Sequence, residues 1–372
     1  MKITCTKANL LKGINIVSKA VPVRTTMQIL ECILIDATTD VIKLTGNDME
    51  LGIETKVEGV ISSRGMTAID AKVFSEIIRK LPDSDVEIES VEDGENVQIL
   101  ITCEKSKFNI AGHSGDDYSF LPFIERNESI TITQFTLKEV IRQTVFSIAV
   151  NDNNKRMTGE LFEIRDNILR VVSLDGHRIS IRKVELKENY VPRKVIVPGK
   201  TLTEISKILS GDTEEDVVIS FAANHVVFEF DDSVVVSRLI EGDYFNIDQM
   251  LSGDYDTKLV INKKSFQDCI DRASLLISES DKKPIVMDIR DDTMDLSIRS
   301  QLGNMEESIG ISKEGKDLLI GFNPKFLLDA LRVIDDEEVT LYMINPKAPC
   351  FIKDERESYI YLILPVNFNG SH

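Results

Sequence analysis

The sequence predicts an α+β fold made of three similar domains, each containing two units of one helix followed by several strands. Three observations lead to this prediction. One helix-turn-strand segment recurs about every 126 residues, a second set of helices recurs at a similar interval, and strand-like segments with alternating apolar residues follow the helices. The length of 372 residues also exceeds what one hydrophobic core normally serves.

The clearest repeat is an apolar helix with basic residues, followed by an acidic turn and a strand. It is present in AKVFSEIIRKLPDSDVEIE, GKTLTEISKILSGDTEEDVVIS and NPKFLLDALRVIDDEEVTLYM. Lys72, Lys200 and Lys325 occupy the same place in the three segments, at separations of 128 and 125 residues. A spacing this regular indicates one structural unit that is repeated along the chain.

A second set of helices precedes these segments. It consists of TKANLLKGINIVSKA, TLKEVIRQTVFSIA and NKKSFQDCIDRASLL, in which Leu10, Val140 and Phe266 are 130 and 126 residues apart. Strand-like sequences with β-branched residues and tight polar turns follow, as in CILIDATTDVIKLTG and GELFEIRDNILRVVS. Each domain is therefore expected to contain two helix-plus-strands units.

The ends of the first two domains share a sequence pattern. SGDDYSFLP closes the first domain and EGDYFNIDQML the second, with Asp117 and Asp243 126 residues apart. The predicted domains are residues 1–127, 128–253 and 254–369. Residues 370–372, with the sequence GSH, are expected to be a remnant of cloning.

The charged residues are unevenly distributed. The chain carries a formal net charge of −18, whereas its six helical segments contain 15 Lys and Arg against six Asp and Glu. Exposed helices are often rich in lysine, which is the simpler explanation. Here, however, the acidic residues are concentrated in the turns after the helices, as in DSD, GDTEED and DDEE. We therefore favour a basic helical surface that attracts phosphates without reading bases.

Several functional classes are disfavoured. The chain lacks the common signatures of nucleotide-binding loops, serine hydrolases and zinc proteases. Its acidic clusters fall at the same place in three repeats, so we interpret them as solvated turns rather than metal sites, and no cofactor is predicted. No apolar run reaches the roughly 20 residues that span a membrane, and a cytoplasmic location is expected. Buried free thiols are predicted for the scattered cysteines Cys5, Cys32, Cys103, Cys269 and Cys350.

The segment SLDGHRIS places Asp175 close to His177, one of only four histidines. An active-site dyad is one interpretation. Neighbouring residues on a strand point to opposite faces, however, and no partner nucleophile is apparent. The first repeat has TGNDMELGI at this place, with Asp48 127 residues before Asp175. Gly176, His177 and Arg178 are thus peculiar to the middle domain, which indicates either a specific function or ordinary loop drift.

The whole chain, residues 1–368, resembles the beta subunit of bacterial DNA polymerase III, the sliding clamp family. The resemblance is carried by the three similar domains, by LDGHRIS in the second, by GDDYSFLP at the end of the first and by YLILPV near the C-terminus. It implies a DNA-clamp fold that closes as a head-to-tail dimeric ring, with helices inside and sheets outside. It also implies no catalytic activity: an ATP-driven loader places the ring on DNA, and the ring then tethers the polymerase.

The resemblance further implies a cleft for partner peptides between the second and third domains. Polymerases, the clamp loader and repair factors would dock there through short peptides. The residues carried over to this cleft are Met157, Leu174, Gly176, His177, Arg178, Ile179, Phe245, Met250, Leu362, Leu364, Pro365 and Val366. The chain departs from the family pattern at Phe245, Gln249 and Asn367, where proline, arginine and arginine are usual. One side of the pocket is therefore expected to differ in shape and charge.

Contacts with double-stranded DNA and with a second copy are implied in the same way. Binding would be independent of base sequence, because weak phosphate contacts suffice for a ring that slides. The family implies Arg24, Asn151, Lys155, Arg156 and Lys200 as DNA-facing residues. The internal repeat and the basic helices add Lys72, Lys282, Lys283 and Lys325. In the homodimer, Phe108 and Ile110 would contact Leu275 and Leu276, and the strand edge at 105–111 would pair across the interface.

These observations lead to one hypothesis, a non-enzymatic clamp that holds DNA topologically. A ring with basic helices inside and an acidic exterior would focus DNA toward its centre. One alternative is a repeat scaffold that docks peptides without encircling DNA, which predicts a monomer. Another is an enzyme that uses Asp175 and His177. The enzyme alternative predicts that His177→Ala abolishes turnover of a substrate while peptide docking survives.

Overall fold

The structure is a computed structural model. It describes residues 1–93, 96–126, 128–150, 152–251, 254–277 and 283–368. The predicted domain limits at 127 and 253 and the expected cloning remnant at 370–372 lie outside the described residues. The mixture of helices and strands confirms the predicted α+β class.

The described residues form six α-helices. They are α1 Lys7–Val17, α2 Ala71–Lys80, α3 Gln134–Thr144, α4 Gly199–Ile208, α5 Lys263–Ser274 and α6 Pro324–Leu331. Polar caps begin five of these helices: Thr6, Asp70, Thr133, Asn262 and Asn323 accept hydrogen bonds from first-turn amides at 2.7–3.2 Å. These caps satisfy amides that a helix leaves unpaired. Among the described residues, no helix combines the length and the apolar character needed to cross a membrane.

Twenty-four strands accompany the helices in the described chain. They are β1 Lys2–Thr6, β2 Cys32–Asp36, β3 Ile42–Asn47, β4 Leu51–Val57, β5 Val60–Ser63, β6 Met66–Asp70, β7 Asp85–Asp93, β8 Asn96–Cys103, β9 Ser106–Ser114, β10 Glu128–Thr133, β11 Gly159–Leu174, β12 Arg178–Pro198, β13 Asp216–Phe221, β14 His225–Phe230, β15 Ser233–Arg238, β16 Thr257–Asn262, β17 Ile285–Arg290, β18 Thr293–Ser300, β19 Gly303–Gly310, β20 Ser312–Gly315, β21 Leu318–Phe322, β22 Glu338–Met343, β23 Cys350–Lys353 and β24 Tyr359–Ile363. Buried and less buried residues alternate along strands such as β16 and β17, because successive side chains point to opposite faces of a sheet.

The chain divides into two compact units. The first unit comprises Met1–Lys138 and Lys200–Leu239, and the second comprises Glu139–Gly199 and Ile240–His372. The units do not coincide with the three predicted domains, because strands from either side of a predicted limit pair within one sheet. The domain limits therefore stay a prediction.

The first unit contains one sheet of 13 strands. Its order is β10-β13-β14-β15-β4-β3-β2-β6-β9-β8-β7-β1-β5. Helix α1 packs on β4 and contacts α2, and the apolar side chains of Leu10, Ile14 and Phe74 are fully buried. Gly13 permits this close packing, since a Cβ atom there would lie 2.6 Å from Val57 Cγ2.

The second unit contains two sheets. Their orders are β11-β12-β24-β23-β22-β16-β20 and β19-β18-β17-β21. One hydrophobic core joins α5 and α6 to strands of both sheets, with Phe266, Ile270, Phe322, Leu327 and Leu331 among its buried members. The apolar residues of the repeated helices therefore have the core role that their spacing predicts.

Two antiparallel strand pairs join parts of the chain that are far apart in sequence. In the pair that we call the first seam, β4 and β15 place Leu51 opposite Ser237. In the second seam, β12 and β24 place Arg178 opposite Ile363. The paired residues of the two seams are separated by 127 and 126 positions, so the seams are equivalent in the internal repeat.

The cysteines are buried and free, which confirms the prediction for all five. Burial raises the pKa of Cys5 and Cys269 to about 12. Both side chains are therefore neutral thiols at physiological pH, with little of the thiolate character that reactive cysteines need.

Candidate functional site

A tight turn of residues 175–178 joins β11 to β12 at the start of the second seam. Asp175 Oδ1 accepts hydrogen bonds from the amides of His177 and Arg178 at 3.0 and 3.1 Å. Gly176 has a φ of 84°, a left-handed conformation that glycine adopts readily. The carbonyl of His177 accepts a hydrogen bond from the Leu364 amide at 2.9 Å. The turn is thus fixed internally and attached to the C-terminal segment.

The side chain of Arg178 lies beneath this turn and is only 7% exposed. Its Nε donates to Asp175 Oδ2 at 3.0 Å, Nη1 to Asp329 Oδ2 at 2.6 Å, and Nη2 to the carbonyl of Phe146 at 2.6 Å. The ring of Phe326 lies 4.5 Å from the guanidinium carbon, within cation-π range. Every nitrogen of the guanidinium therefore has a partner inside the second unit.

Apolar side chains form a floor beside the turn. Leu174, Ile179 and Leu362 are 5%, 6% and 4% exposed and belong to one hydrophobic cluster. Met157 and Phe245 are half-buried and pack against the same cluster. Residues from β11, β12, β24 and the segments before β11 and after residue 240 thus meet at one place.

Exposed apolar groups surround the floor. Met250, Leu364 and Val366 are 49%, 38% and 36% exposed. The Val366 amide donates to the carbonyl of Gly321 at 2.8 Å, so the backbone on both sides of Pro365 is held in place. Apolar pockets beside a few fixed polar groups suit an extended peptide. All twelve residues predicted for the cleft lie in the second unit, and their function in docking stays a prediction.

The segment 244–251, which we call the second connector, forms one wall of this site. The Arg156 guanidinium carbon lies 5.2 Å from the centre of the Phe245 ring, and its Nη1 donates to the carbonyl of Asp243 at 2.9 Å. Farther along, Asp248 forms an ion pair with Arg170 at 2.8 Å. Arg156 was predicted to face DNA, which stays a prediction. Its contact with Phe245 gives it a second role in shaping the wall.

Asp175 and His177 do not form a catalytic dyad in this geometry. Both carboxylate oxygens of Asp175 are engaged, one by two turn amides and one by Arg178. Among the hydrogen bonds of the described residues, none joins this carboxylate to the imidazole of His177. The imidazole instead stacks on Phe326, with ring centroids 6.1 Å apart. The pair shapes a loop and lacks the relay that general-base catalysis requires.

Three residues that support the site are absent from the sequence prediction. Phe326 and Asp329 belong to α6, and Arg170 belongs to β11. Asp329 is 151 positions from its partner Arg178, so no local motif connects the two residues. The only signal in the sequence is that Asp329 is an acidic residue among the buried residues Leu327, Leu328, Ala330 and Leu331 of its helix.

A buried carboxyl group lies on β11 near the site. Glu160 is fully buried, and its Oε2 is 3.1 Å from Thr144 Oγ1. Thr144 Oγ1 lies within hydrogen-bond distance of both the Val140 carbonyl, at 2.7 Å, and Glu160 Oε2, and its one proton can serve either; when it serves Val140, a neutral Glu160 can donate to the hydroxyl oxygen. Burial raises the pKa of Glu160 to about 8. The carboxyl is therefore mostly protonated at neutral pH.

The predicted DNA-facing residues occur in both units. Exposed positions are occupied by Arg24, Lys72, Lys155, Lys200, Lys283 and Lys325, and Arg156 is half-buried. Lys200 also forms an ion pair with Asp48 in the first unit. Asn151 and Lys282 lie outside the described residues. Exposure is compatible with phosphate contacts, and the assignment stays a prediction.

The residues predicted for the dimer interface lie on or near open strand edges. Phe108 and Leu275 are 38% and 78% exposed, and Ile110 and Leu276 are half-buried. Strand β9 pairs with β8 along its length and meets β6 only at its last two residues. Strand β19 pairs with β18 alone within the described part of the chain. Both edges offer backbone groups for a further strand.

The chain resembles one known protein family along most of its length. Sequence models of the DNA polymerase III beta subunit match the chain in three parts: the N-terminal domain at residues 1–122, the central domain at 131–246 and the C-terminal domain at 248–367. The beta sliding clamp of Staphylococcus aureus is 35% identical over 377 residues, covering 98% of this chain and 99% of that protein.

Solved structures show the same fold. A DNA polymerase III beta subunit from Eubacterium rectale is 68% identical and superposes with a TM-score of 0.96, covering 99% of this chain and 100% of that chain. The DNA polymerase sliding clamp of Bacillus subtilis is 34% identical, with a TM-score of 0.95 and the same coverage.

Repeated helix-and-sheet units with this fold define the class of DNA clamps. The chain belongs to the DNA polymerase III beta subunit family, the bacterial sliding clamps. Its function is accordingly that of a clamp, which encircles DNA and tethers a polymerase. The family consists of processivity factors and not of catalytic subunits. The comparisons give no support to a peptide scaffold that does not encircle DNA.

Proposed function

We propose that the chain works as a head-to-tail homodimer closed around duplex DNA, with partner proteins docked in the cleft of the second seam. The proposal of a dimer is supported by an incomplete pattern of strand pairing within one chain. Within the described residues, β4 pairs with β15 and β12 pairs with β24. The third equivalent pair, β19 and β9, makes no such contact.

The equivalence follows from the internal repeat. Strands β4, β12 and β19 each follow a tight turn after the first helix of a repeat, and β9, β15 and β24 each follow the second helix. Two of the three possible seams form within one chain. In a dimer the third seam can form at two interfaces, because β19 of each copy can pair with β9 of the other. A two-fold closed assembly results, with no strand edge of this set left open.

The first seam also provides a register for the interface. Thr55, the fifth residue of β4, lies opposite Ser233, the first residue of β15. The corresponding residues are Glu307, the fifth of β19, and Ser106, the first of β9. The transferred register places Lys107 opposite Glu306 of the second copy and Phe108 opposite Met305.

The same register accounts for the predicted apolar contact. It places Ile110 opposite Gly303, and the Leu276 side chain lies 4.0 Å from where a Cβ atom of Gly303 would be. Ile110 of one copy would therefore reach Leu276 of the other over a position that has no side chain. Leu275, which is 78% exposed, lies beside it in the chain.

A charge exchange tests this interface. Lys107→Glu should place two acidic side chains opposite each other and shift sedimentation-velocity profiles from dimer toward monomer at micromolar concentration. The double variant Lys107→Glu with Glu306→Lys should restore the dimer. Lys347→Glu, an equal charge change at an exposed position in the turn between β22 and β23, is the matched control. A dimer unaffected by Lys107→Glu contradicts the register, and a wild-type monomer contradicts the homodimer.

Topological linkage is the test of DNA encirclement. The clamp loader of the same organism and ATP would place the protein on a nicked circle, and retention would be compared before and after one restriction cut. Loss only after the cut is expected, because a closed ring leaves DNA at an end. Equal retention on both forms, abolished by moderate salt, would indicate ordinary electrostatic binding and sink the ring proposal.

We propose the exposed basic residues as weak, mobile phosphate contacts within the ring. Arg24, Lys72 and Lys200 lie in the first unit, and Lys155, Arg156, Lys283 and Lys325 lie in the second. Asn151 and Lys282 complete the set. Each contact should contribute little alone, so the triple variant Lys72→Ala, Lys200→Ala and Lys325→Ala should reduce the salt dependence of loading by up to about three phosphate equivalents. Topological retention on circular DNA should survive.

We propose the second-seam cleft as the docking site for short peptides of the polymerase, the clamp loader and repair factors. Support comes from the buried floor of Leu174, Ile179 and Leu362 beside exposed Leu364 and Val366. Ile179→Asp should abolish binding of the polymerase catalytic subunit, measured by surface plasmon resonance on immobilised clamp, while dimerisation persists. Undiminished binding would move the docking site elsewhere.

The proposal has three further parts. The chain has no catalytic activity of its own, the three domains have limits near 127 and 253, and the protein works in the cytoplasm. The first is supported by the engaged carboxylate of Asp175, and the second by the matching segments SGDDYSFLP and EGDYFNIDQML. The third is supported by a function on DNA.

A further inference from the structure

We propose that Asp329 of α6 is a positioning residue for the docking cleft. It acts through Arg178 to hold the turn 175–178 in the conformation that receives a partner. The inference rests on the proposed docking function, and it assigns to Arg178 an internal role beneath the cleft instead of a direct contact with the peptide.

The guanidinium of Arg178 is buried and bound through all three of its nitrogens. Its three nitrogens donate to Asp175, Asp329 and the Phe146 carbonyl at 2.6–3.0 Å, and 7% of its side chain is exposed. A guanidinium this buried requires partners for its charge and its donors. Three of the five N–H donors of the guanidinium are thus bound within the second unit, and burial leaves little of the group accessible to a peptide.

The two carboxylates, of Asp175 and Asp329, bind different groups. Asp175 holds the backbone of the turn with Oδ1 and Arg178 with Oδ2. Asp329 takes the Nη1 group, which Asp175 does not reach. Without Asp329, that nitrogen would lose its partner in a buried place, and the guanidinium would move or draw Asp175 away from the turn amides.

Helix α6 contacts the turn through a second residue as well. Phe326, one turn before Asp329, lies 4.5 Å from the Arg178 guanidinium and stacks on the imidazole of His177. Residues three apart lie on one side of a helix. Helix α6 therefore holds the turn at two adjacent points, through an ion pair and through a ring.

The equivalent turn at the first seam is also held by a charged residue of a helix, but by a different kind of residue. This residue is Lys200 of α4, which pairs directly with Asp48. The residue equivalent to Arg178 is Leu51, which has no charge to balance. Glu204, 125 positions before Asp329, instead pairs with Lys207 of its own helix at 2.7 Å. The acidic residue is used for positioning only where the turn contains arginine.

The test compares three variants in binding the DNA polymerase III catalytic subunit to low-density immobilised clamp. Asp329→Ala should raise the Kd 10- to 100-fold, mainly through faster dissociation. Asp329→Asn keeps an oxygen acceptor and should recover most of the affinity, to within about 3-fold to 5-fold of wild type. Asp271→Ala, which removes the exposed partner of Arg332 on the same helix pair, should leave the Kd unchanged.

Hydrogen exchange of residues 173–180 in the free clamp supplies the second measurement. Exchange should be fastest in Asp329→Ala, intermediate in Asp329→Asn and unchanged in Asp271→Ala. If Asp329→Ala fails to fold, the exchange rate and the Kd of the Asp329→Asn variant provide the test. Unchanged exchange and unchanged Kd in folded Asp329 variants would overturn the inference. If Ile179→Asp still abolished binding, the docking proposal would stand; if Ile179→Asp also bound normally, both would fall.

Discussion

The two seams have the same backbone and different surfaces. In the first, Asp48 Oδ1 accepts from the amides of Glu50 and Leu51, and the Arg238 amide donates to the carbonyl of Glu50 at 2.9 Å. The second seam repeats each bond: Asp175 caps its turn in the same way, and Leu364 donates to His177 at the same distance. One turn and one pair of strands therefore serve in both places.

The side chains at equivalent positions explain why only one seam has an apolar cleft. Leu174, Ile179, Phe245 and Leu364 lie at or beside the second seam. The equivalent positions at the first seam are occupied by Asn47, Gly52, Ser119 and Arg238. The small and polar residues also hold the segment that follows β9, because Asn47 Nδ2 donates to the Ser119 carbonyl at 2.9 Å. Leu121 lies over Gly52, where a Cβ atom would be 2.0 Å from Leu121 Cδ2. A repeated backbone therefore presents an apolar cleft only where its side chains leave apolar surface uncovered.

A buried carboxyl distinguishes the second seam most strongly. Glu160 of β11, the strand next to the second seam, corresponds in the internal repeat to Ile33 of β2, and both residues are fully buried. Because the pKa of Glu160 is raised to about 8 from an unfolded value of about 4.3, the folded chain binds more protons between these limits. Its contribution to stability is complete below about pH 4.3 and is lost as pH rises to about 8. Between pH 5 and 7 the free energy of unfolding should fall by about 1.4 kcal/mol per pH unit relative to Glu160→Gln.

Urea unfolding of both proteins across pH 5 to 8 measures this difference. Glu160→Gln keeps the shape of the side chain and a donor for the Thr144 hydroxyl, so the comparison isolates the titration. Parallel pH profiles for the two proteins would show that Glu160 is not neutral in the folded state.

Conversion of one seam into the other is the next sharpest experiment. Leu364→Arg gives the second seam the residue that Arg238 supplies in the first. The cleft should then lose apolar surface and gain a solvated charge, and the Kd for the polymerase catalytic subunit should rise about 30-fold, or about 2 kcal/mol. Surface plasmon resonance on immobilised clamp measures the change. Arg238→Leu is the reciprocal control and should leave that Kd unaltered; an equal effect of both variants would contradict the distinction between the seams.

Leu121 can cover the first seam because Gly52 has no side chain. Gly52→Ala should push Leu121 from its place and cost about 1–3 kcal/mol of stability, as overpacking of a filled site does. Chemical denaturation of the dimer measures the cost. Gly310→Ala serves as the control, since a Cβ atom there meets nothing within 4 Å. Equal stability of the two variants would mean that Leu121 is not seated against Gly52 in solution.

The exposed charges of the first seam should matter least. Glu50 and Arg238 approach to 3.8 Å, and both side chains are about half exposed or more. Glu50→Gln should change the free energy of unfolding by less than about 0.5 kcal/mol, because solvent screens such pairs. Thermal unfolding at low and high salt measures it. A larger loss that vanishes in high salt would show that this pair contributes to holding the turn.

The predictable part of the molecule is the part encoded by local pattern. Apolar spacing and capping residues such as Asp70 and Asn323 predict the helices, and a regular interval predicts the repeat. The cleft residues follow from a resemblance across the whole chain. Contacts such as Asp329 with Arg178, or Leu121 over Gly52, join residues 151 and 69 positions apart. They depend on how sheets bring distant segments together, which no short window of sequence records.

The first seam also has a consequence for how the chain is made. The first unit is discontinuous: β4 ends at Val57, and its partner β15 begins at Ser233, 176 residues later. At a synthesis rate of roughly 5–20 residues per second, the ribosome needs on the order of 10–35 s to produce the second strand after the first. During that time one edge of β4 emerges with no partner from its own chain. The polar Glu54 and Lys56 on this strand, with Lys43 paired to Glu54 at 2.9 Å, give the nascent edge charges that discourage pairing with the wrong strand.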